Sequence, residues 1–175
     1  MKKIRPIFLL SFLIFLLSVP YEIFATNNKN VLDLERSREL LLDGYIQSDF
    51  DNHQLAIEYF TEAIRLNPNN LFAFLNRAYS KHAIKDIAGA WDDLNIALEI
   101  DPNNGIAFYN RAIVNWKLGH QLSSIKEYSK AINKNIKLKN AYAIRGILKS
   151  NIGDAEGACA DWQKASENKN ERATL

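Results

Sequence analysis

One turn recurs along this chain at a fixed interval, and that period constrains the fold more than any other feature. The turn Asn67-Pro68-Asn69-Asn70 returns as Asp101-Pro102-Asn103-Asn104. Small residues keep the phase in three series: Gly44, Ala78, Ala112 and Gly146; Ala56, Ala90, Ser124 and Ala158; and Ala63, Ala97, Ala131 and Ala165. Bulky residues keep it as Leu40, Phe74, Phe108 and Tyr142, and as Phe60, Leu94, Tyr128 and Trp162. Four units follow, at 37–70, 71–104, 105–138 and 139–172.

Each unit reads as two helices. In the third, Ile106 to Leu118 is a helical stretch stopped by Gly119, and Ser123 to Lys134 is a second helix. Small residues let the two backbones approach, and the large ones fill the space between successive hairpins. A lone hairpin cannot bury its apolar face, so the units must stack. The proline position of the closing turn holds Ile136 in the third unit and Asn170 in the fourth.

The period, the small residues at unit positions 8, 20 and 27, and the Asn-Pro or Asp-Pro turn together resemble the tetratricopeptide repeat. The resemblance runs from residue 37 to about 168 and is densest from Asn110-Arg111-Ala112 through Ala131-Ile132. It implies an all-α, right-handed helical-hairpin solenoid whose first helices line a concave surface. It implies a module that binds a protein or peptide, with no enzymatic activity and no cofactor.

Mapped onto this chain, the family's groove positions hold Tyr45, Asn76, Tyr79, His82, Tyr109, Asn110, Trp116 and Lys117. Aromatic rings offer rigid contact area, and amides can satisfy an extended backbone. The competing reading packs several of these rings between hairpins, and about half are expected in the groove. Unit four offers Asn140, Ala143, Ser150 and Asn151 at the same positions, with Ile147 its bulky exception. One subfamily grips acidic tails with a clamp of Lys, Asn and Arg. Asn76 fits its amide, but Tyr45, Ile106 and Asn110, or Asn140 and Ile144, stand where its other members belong. An acidic tail is therefore not the expected ligand.

Arg77, Arg111 and Arg145 share one unit position, and Asp93, Glu127 and Asp161 follow them at one constant spacing. In the first unit both change together, to Asp43 and Tyr59. The joint change favours structural ion pairs between the helices of one hairpin over a ladder of arginines gripping an acidic ligand. His53, His82 and His120 never share one-turn spacing, and a metal site needs three or four converging ligands. No metal is expected, nor any catalytic residue, since neither a nucleophile motif nor a phosphate loop is present. His53 and His120 read as exposed turn residues. Cys159 takes the position of Ile57, Trp91 and Ile125 and reads as a buried small hydrophobe, with a reactive thiol as the alternative.

The N-terminus reads as an export signal. Lys2, Lys3 and Arg5 precede an apolar stretch from Ile7 to Val19, then Pro20 and the small residue Ala25. That stretch spans about 20 Å as a helix, short of the ~30 Å apolar core of a bilayer. A signal peptide over residues 1–25, cut after Ala25, is expected, with residues 26–36 as linker and start of the first helix. The protein is then exported to a periplasm, lumen or extracellular space. The alternative is an uncleaved anchor over residues 7–19, and only then a membrane contact. The chain carries 22 basic and 20 acidic residues; three of the former and Glu22 fall within the first 25, which leaves 19 of each. A neutral remainder lacks the excess positive charge that nucleic-acid binding draws on, so no nucleic acid is expected. A homo-oligomer joined through the C-terminal hairpin is the rival to a peptide-binding module.

Overall fold

The computed structural model describes residues 21–134 and 140–170. The first twenty residues, most of the signal reading, lie outside the described residues, as does Ile136. The described residues form eight helices: α1 (Tyr21–Asp49), α2 (His53–Leu66), α3 (Leu71–Ala83), α4 (Ile87–Ile100), α5 (Gly105–Lys117), α6 (Gln121–Asn133), α7 (Ala141–Asn151) and α8 (Ala155–Asn170). They pair as four antiparallel hairpins, and each hairpin packs on the next.

The repeated turns end one hairpin and start the following one. The Asn67 side chain accepts a hydrogen bond from the Asn69 backbone N–H at 3.2 Å, and Asp101 does the same for Asn103 at 3.0 Å. Proline fills the position between them, where its ring-locked φ suits a turn. Asn70 then caps α3 by accepting from the Ala73 N–H, and Asn104 caps α5 by accepting from Ala107. The shorter turn inside each hairpin places unit position 15 in the left-handed region in all four units: Asp51, Lys85, Gly119 and Gly153, with φ from 61° to 85°. Only the last two are glycine, the residue that adopts this conformation without steric cost.

α1 is more than twice as long as the other first helices, and Thr26 to Asn30, expected as a loose linker, lie within it. Neither proline nor glycine interrupts the chain between Tyr21 and Asp43. Extending an existing helix needs no new nucleus, so the helix runs back through this polar segment. At the other end α8 continues to Asn170, where the first two units would meet their proline.

The core is a chain of small clusters rather than one centre. Phe74, Leu75, Ala78, Ala90, Leu94 and Ala97 pack with Ala107 and Val114 of the next hairpin. Ala112 and Tyr128 pack with Ala141 and Leu148 of the hairpin after. Glycines 44 and 146 sit where the partner helix brings a ring: a Cβ there would lie 2.6 Å from Phe60 and from Trp162 respectively.

First helices of neighbouring hairpins touch, α1 against α3 and α3 against α5, whereas among the described residues no two second helices make comparable contact. The array therefore bends with its first helices on the inside. No described helix is long and apolar enough to cross a membrane.

Candidate functional site

The inner face carries two neighbouring cavities that share Tyr79. One, of about 270 Å³, lies between α1 and α3 and is lined by Tyr45, Ser48, Asp49, Asn76 and Tyr79. The other, of about 210 Å³, lies between α3 and α5, with Tyr79, His82, Tyr109, Asn110 and Ile113 around a floor that includes Leu94. Six of the eight groove residues proposed from sequence thus meet at these two hollows. Tyr45 and Tyr79 are each 56% exposed, so both rings remain open to a ligand. Asn76 donates its Nδ2 to the Phe72 carbonyl at 2.8 Å, back along its own helix.

Tyr109 is only half accessible, because its ring stands edge-on against Tyr128 at 5.5 Å. Burial raises its phenol pKa. Tyr128 is wholly buried, its hydroxyl has no hydrogen-bond partner among the described residues, and its phenol is pushed far up by the same cause. His82 is held below its ordinary pKa by burial, and then by the charge of Lys117, so near neutral pH it presents an uncharged ring to the second cavity. Trp116 and Lys117 stand apart on the last turn of α5, with the Lys117 ammonium 5.7 Å from the Trp116 ring.

His53, read from sequence as an exposed turn residue, is instead half-buried, and its ring meets Tyr79 edge-on at 5.8 Å. Its Nδ1 is buried without a hydrogen-bond partner among the described residues. The left-handed turn at Asp51 tucks the first residue of α2 behind the central tyrosine. Its distance in sequence from Tyr79 hid this support. His120 is exposed.

The arginines are largely buried within the hairpins and paired there. Arg77 donates to both oxygens of Asp93 at 2.7 and 2.9 Å, and Arg145 to both of Asp161 at 2.6 and 2.8 Å. Arg111 donates to one oxygen of Glu127 at 2.9 and 3.3 Å. The remaining Nη1 of each arginine donates backwards to the preceding hairpin: to Thr61, Asn95 and Ser129 at 3.0, 2.8 and 2.9 Å. Each guanidinium also lies over the ring three residues before it, Phe74, Phe108 or Tyr142. Every arginine of the series therefore joins two hairpins. The signal for this was present in Thr61, Asn95 and Ser129, which share the period and precede the arginines at one constant interval.

A second cation completes each pair. Lys81 reaches Asp93 at 2.9 Å and Lys149 reaches Asp161 at 3.1 Å. In the third unit Asn115 replaces that lysine, and Lys130 supplies the charge to Glu127 at 3.0 Å instead. Burial alone would raise the Asp161 pKa, but hydrogen bonds from Arg145 and Lys149 outweigh it and hold the carboxyl below its ordinary range.

Two readings of the last hairpin need correction. Cys159 is exposed, not buried. Trp162 touches Gly146 but remains 42% exposed, whereas Phe60, Leu94 and Tyr128 at the same position are almost wholly covered. Among the described residues no further hairpin packs on α8, so the Trp162 position, which the other units bury, stays open.

A tetratricopeptide repeat model matches residues 44–70. Human tetratricopeptide repeat protein 36 is 38% identical over 66 residues, which cover 38% of this chain and 35% of that protein. The match thus spans about a third of that relative's length. Among solved structures, MamA superposes with a TM-score of 0.74 at 22% identity, over 80% of this chain and 82% of its own. The first tetratricopeptide domain of Spaghetti, solved with an HSP90 peptide of sequence SRMEEVD, superposes with a TM-score of 0.66 at 18% identity, over 69% of this chain and 95% of its own. At such identities the likeness speaks for the fold.

Proposed function

From the premise that this chain is a tetratricopeptide-repeat protein, we propose that it is an exported, non-enzymatic scaffold or assembly factor that holds a partner peptide or protein along its inner face. The observation that carries the reading is the pair of cavities meeting at Tyr79, on the side toward which the solenoid bends. Aromatic anchors set in a preformed hollow supply most of the affinity of such contacts. Export rests on the basic head, the short apolar stretch and Ala25. N-terminal sequencing of the protein from its native compartment decides that part, and a mature chain that starts at Met1 would favour the anchor.

The binding test compares variants against a partner recovered by crosslinking from that compartment. Tyr79→Ala should weaken binding by roughly thirtyfold, the scale of an interface hot spot, while the helical circular-dichroism signal persists. Trp116→Ala should cost less, since Trp116 lies outside both cavities. An unchanged affinity for Tyr79→Ala removes the groove from consideration.

One observation favours a second reading. Trp162 is 42% exposed on the last hairpin, at a position that every earlier unit covers and where a further repeat or a second copy would pack. Sedimentation that returns a dimer, abolished by Trp162→Ala, would establish it.

A further inference from the structure

The charged groups along the groove are few, and their order is informative. Unit position 13, on the last turn of the first helices, holds Asp49, Ala83 and Lys117 in successive units. Asp49 lines the first cavity together with the Tyr45 and Tyr79 rings. α1 carries no basic residue in its last turn, whereas α3, α5 and α7 each do. The carbonyl end of a helix is the negative end of its dipole, so α1 adds to the field of Asp49 with no basic residue in that turn to oppose it. Arg38, the other charge on α1 at a groove position, lies about 16 Å back down the helix. The second cavity differs: Ala78, Leu94, Ile113, Val114 and the Tyr79 and Tyr109 rings line it, with His82 and Asn110 its other members and no charged side chain among them near neutral pH. Beyond it comes Lys117.

We propose that the groove selects an extended peptide carrying a lysine or arginine at the Asp49 cavity and a large apolar side chain in the Tyr79–Tyr109 cavity. This rests on the groove reading above. The two cavities lie between successive pairs of first helices, so they are about one helix spacing apart, ~10 Å. An extended chain covers that in about three residues. Lys117 adds a preference for a carboxylate on the far side of the apolar anchor and so fixes the direction in which the peptide runs. Uncharged His82 favours apolar occupancy of the hollow beside it. An acidic peptide such as the one held by the Spaghetti domain meets no complementary charge at Asp49.

A library of random dodecapeptides displayed on phage, selected on the full chain, provides the test, with synthetic copies of the enriched peptides for titration. The expected motif has Lys or Arg about three residues from Leu, Phe or Trp. Asp49→Lys should weaken those peptides by about fivefold, the scale of an exposed charge contact, and selection on that variant should enrich Asp or Glu at the same place. Tyr79→Ala should abolish enrichment while the helical signal is retained. A motif lost with Tyr79→Ala but indifferent to Asp49→Lys, or acidic on the wild-type chain, overturns the ligand chemistry and leaves the groove standing. A motif that survives Tyr79→Ala, or none at all, overturns the groove reading as well.

Discussion

Arg77→Ala separates a structural arginine from a ligand-binding one. The Asp93 side chain is 3% exposed and has two cations, Arg77 at 2.7 Å and Lys81 at 2.9 Å. Truncating Arg77 removes two hydrogen bonds to the carboxylate, the link back to Thr61 and the stack on Phe74. Breaking a buried pair costs about 3–5 kcal/mol, and the retained lysine puts this case near the lower end, about 3 kcal/mol. With a urea dependence of roughly 2 kcal/mol per molar, the unfolding midpoint followed by circular dichroism should fall by about 1.5 M. The triple variant Arg77→Met/Lys81→Met/Asp93→Leu should recover most of that loss, because it removes both cations together with the carboxylate and leaves no unpaired buried charge. A midpoint shift below about 0.3 M for Arg77→Ala, with weakened partner binding, would refute the reasoning and restore the ladder of arginines facing a ligand.

Three further outcomes are expected. Gly119→Ala and Gly153→Ala should each cost about 1 kcal/mol, seen as a fall in Tm of roughly 2–4 °C, since a Cβ meets nothing within 4 Å at either site and the cost is the left-handed backbone alone. Asp161, with its pKa lowered in the folded state, contributes stability that is present above its ordinary value of 3.8 and is lost as pH falls through the lower folded value. Urea midpoints measured from about pH 5 down to about pH 2 should therefore drop less steeply for Asp161→Asn than for the parent chain. His82 should titrate below 6.5 by NMR, and Lys117→Ala should move its midpoint up part of the way, because burial persists when the lysine charge is gone.

The repeat made the hairpins legible from the chain alone, because a fixed period in small and bulky residues describes packing between units as well as within them. The same logic fails at the ends of the array, where a repeated position has lost a neighbour. Ile46 is 40% exposed, although Ser80, Val114 and Leu148 at its position are buried against the preceding hairpin. Trp162 is the mirror case on the last helix, whereas the Cys159 position is already open in mid-array, where Trp91 is 40% exposed. α1 hid its extension because polarity, the cue used for Thr26 to Asn30, does not stop a helix that no proline or glycine interrupts. In the groove, residue types were readable but partnerships were not. Tyr109 is covered because Tyr128 stands beneath it, and Tyr79 gains a half-buried histidine from another hairpin. Both contacts join residues whose separation in sequence carries no helical phase.

Which face meets the partner can be read directly by photocrosslinking. A light-activated phenylalanine analogue placed at Tyr79, and separately at Trp162, would be expressed in the native cells and irradiated. The groove account requires an adduct with a different protein from position 79 and none with that protein from position 162. The same partner captured only from position 162, or a self-adduct from 162 with nothing from 79, would contradict it and move the interaction to the open C-terminal hairpin.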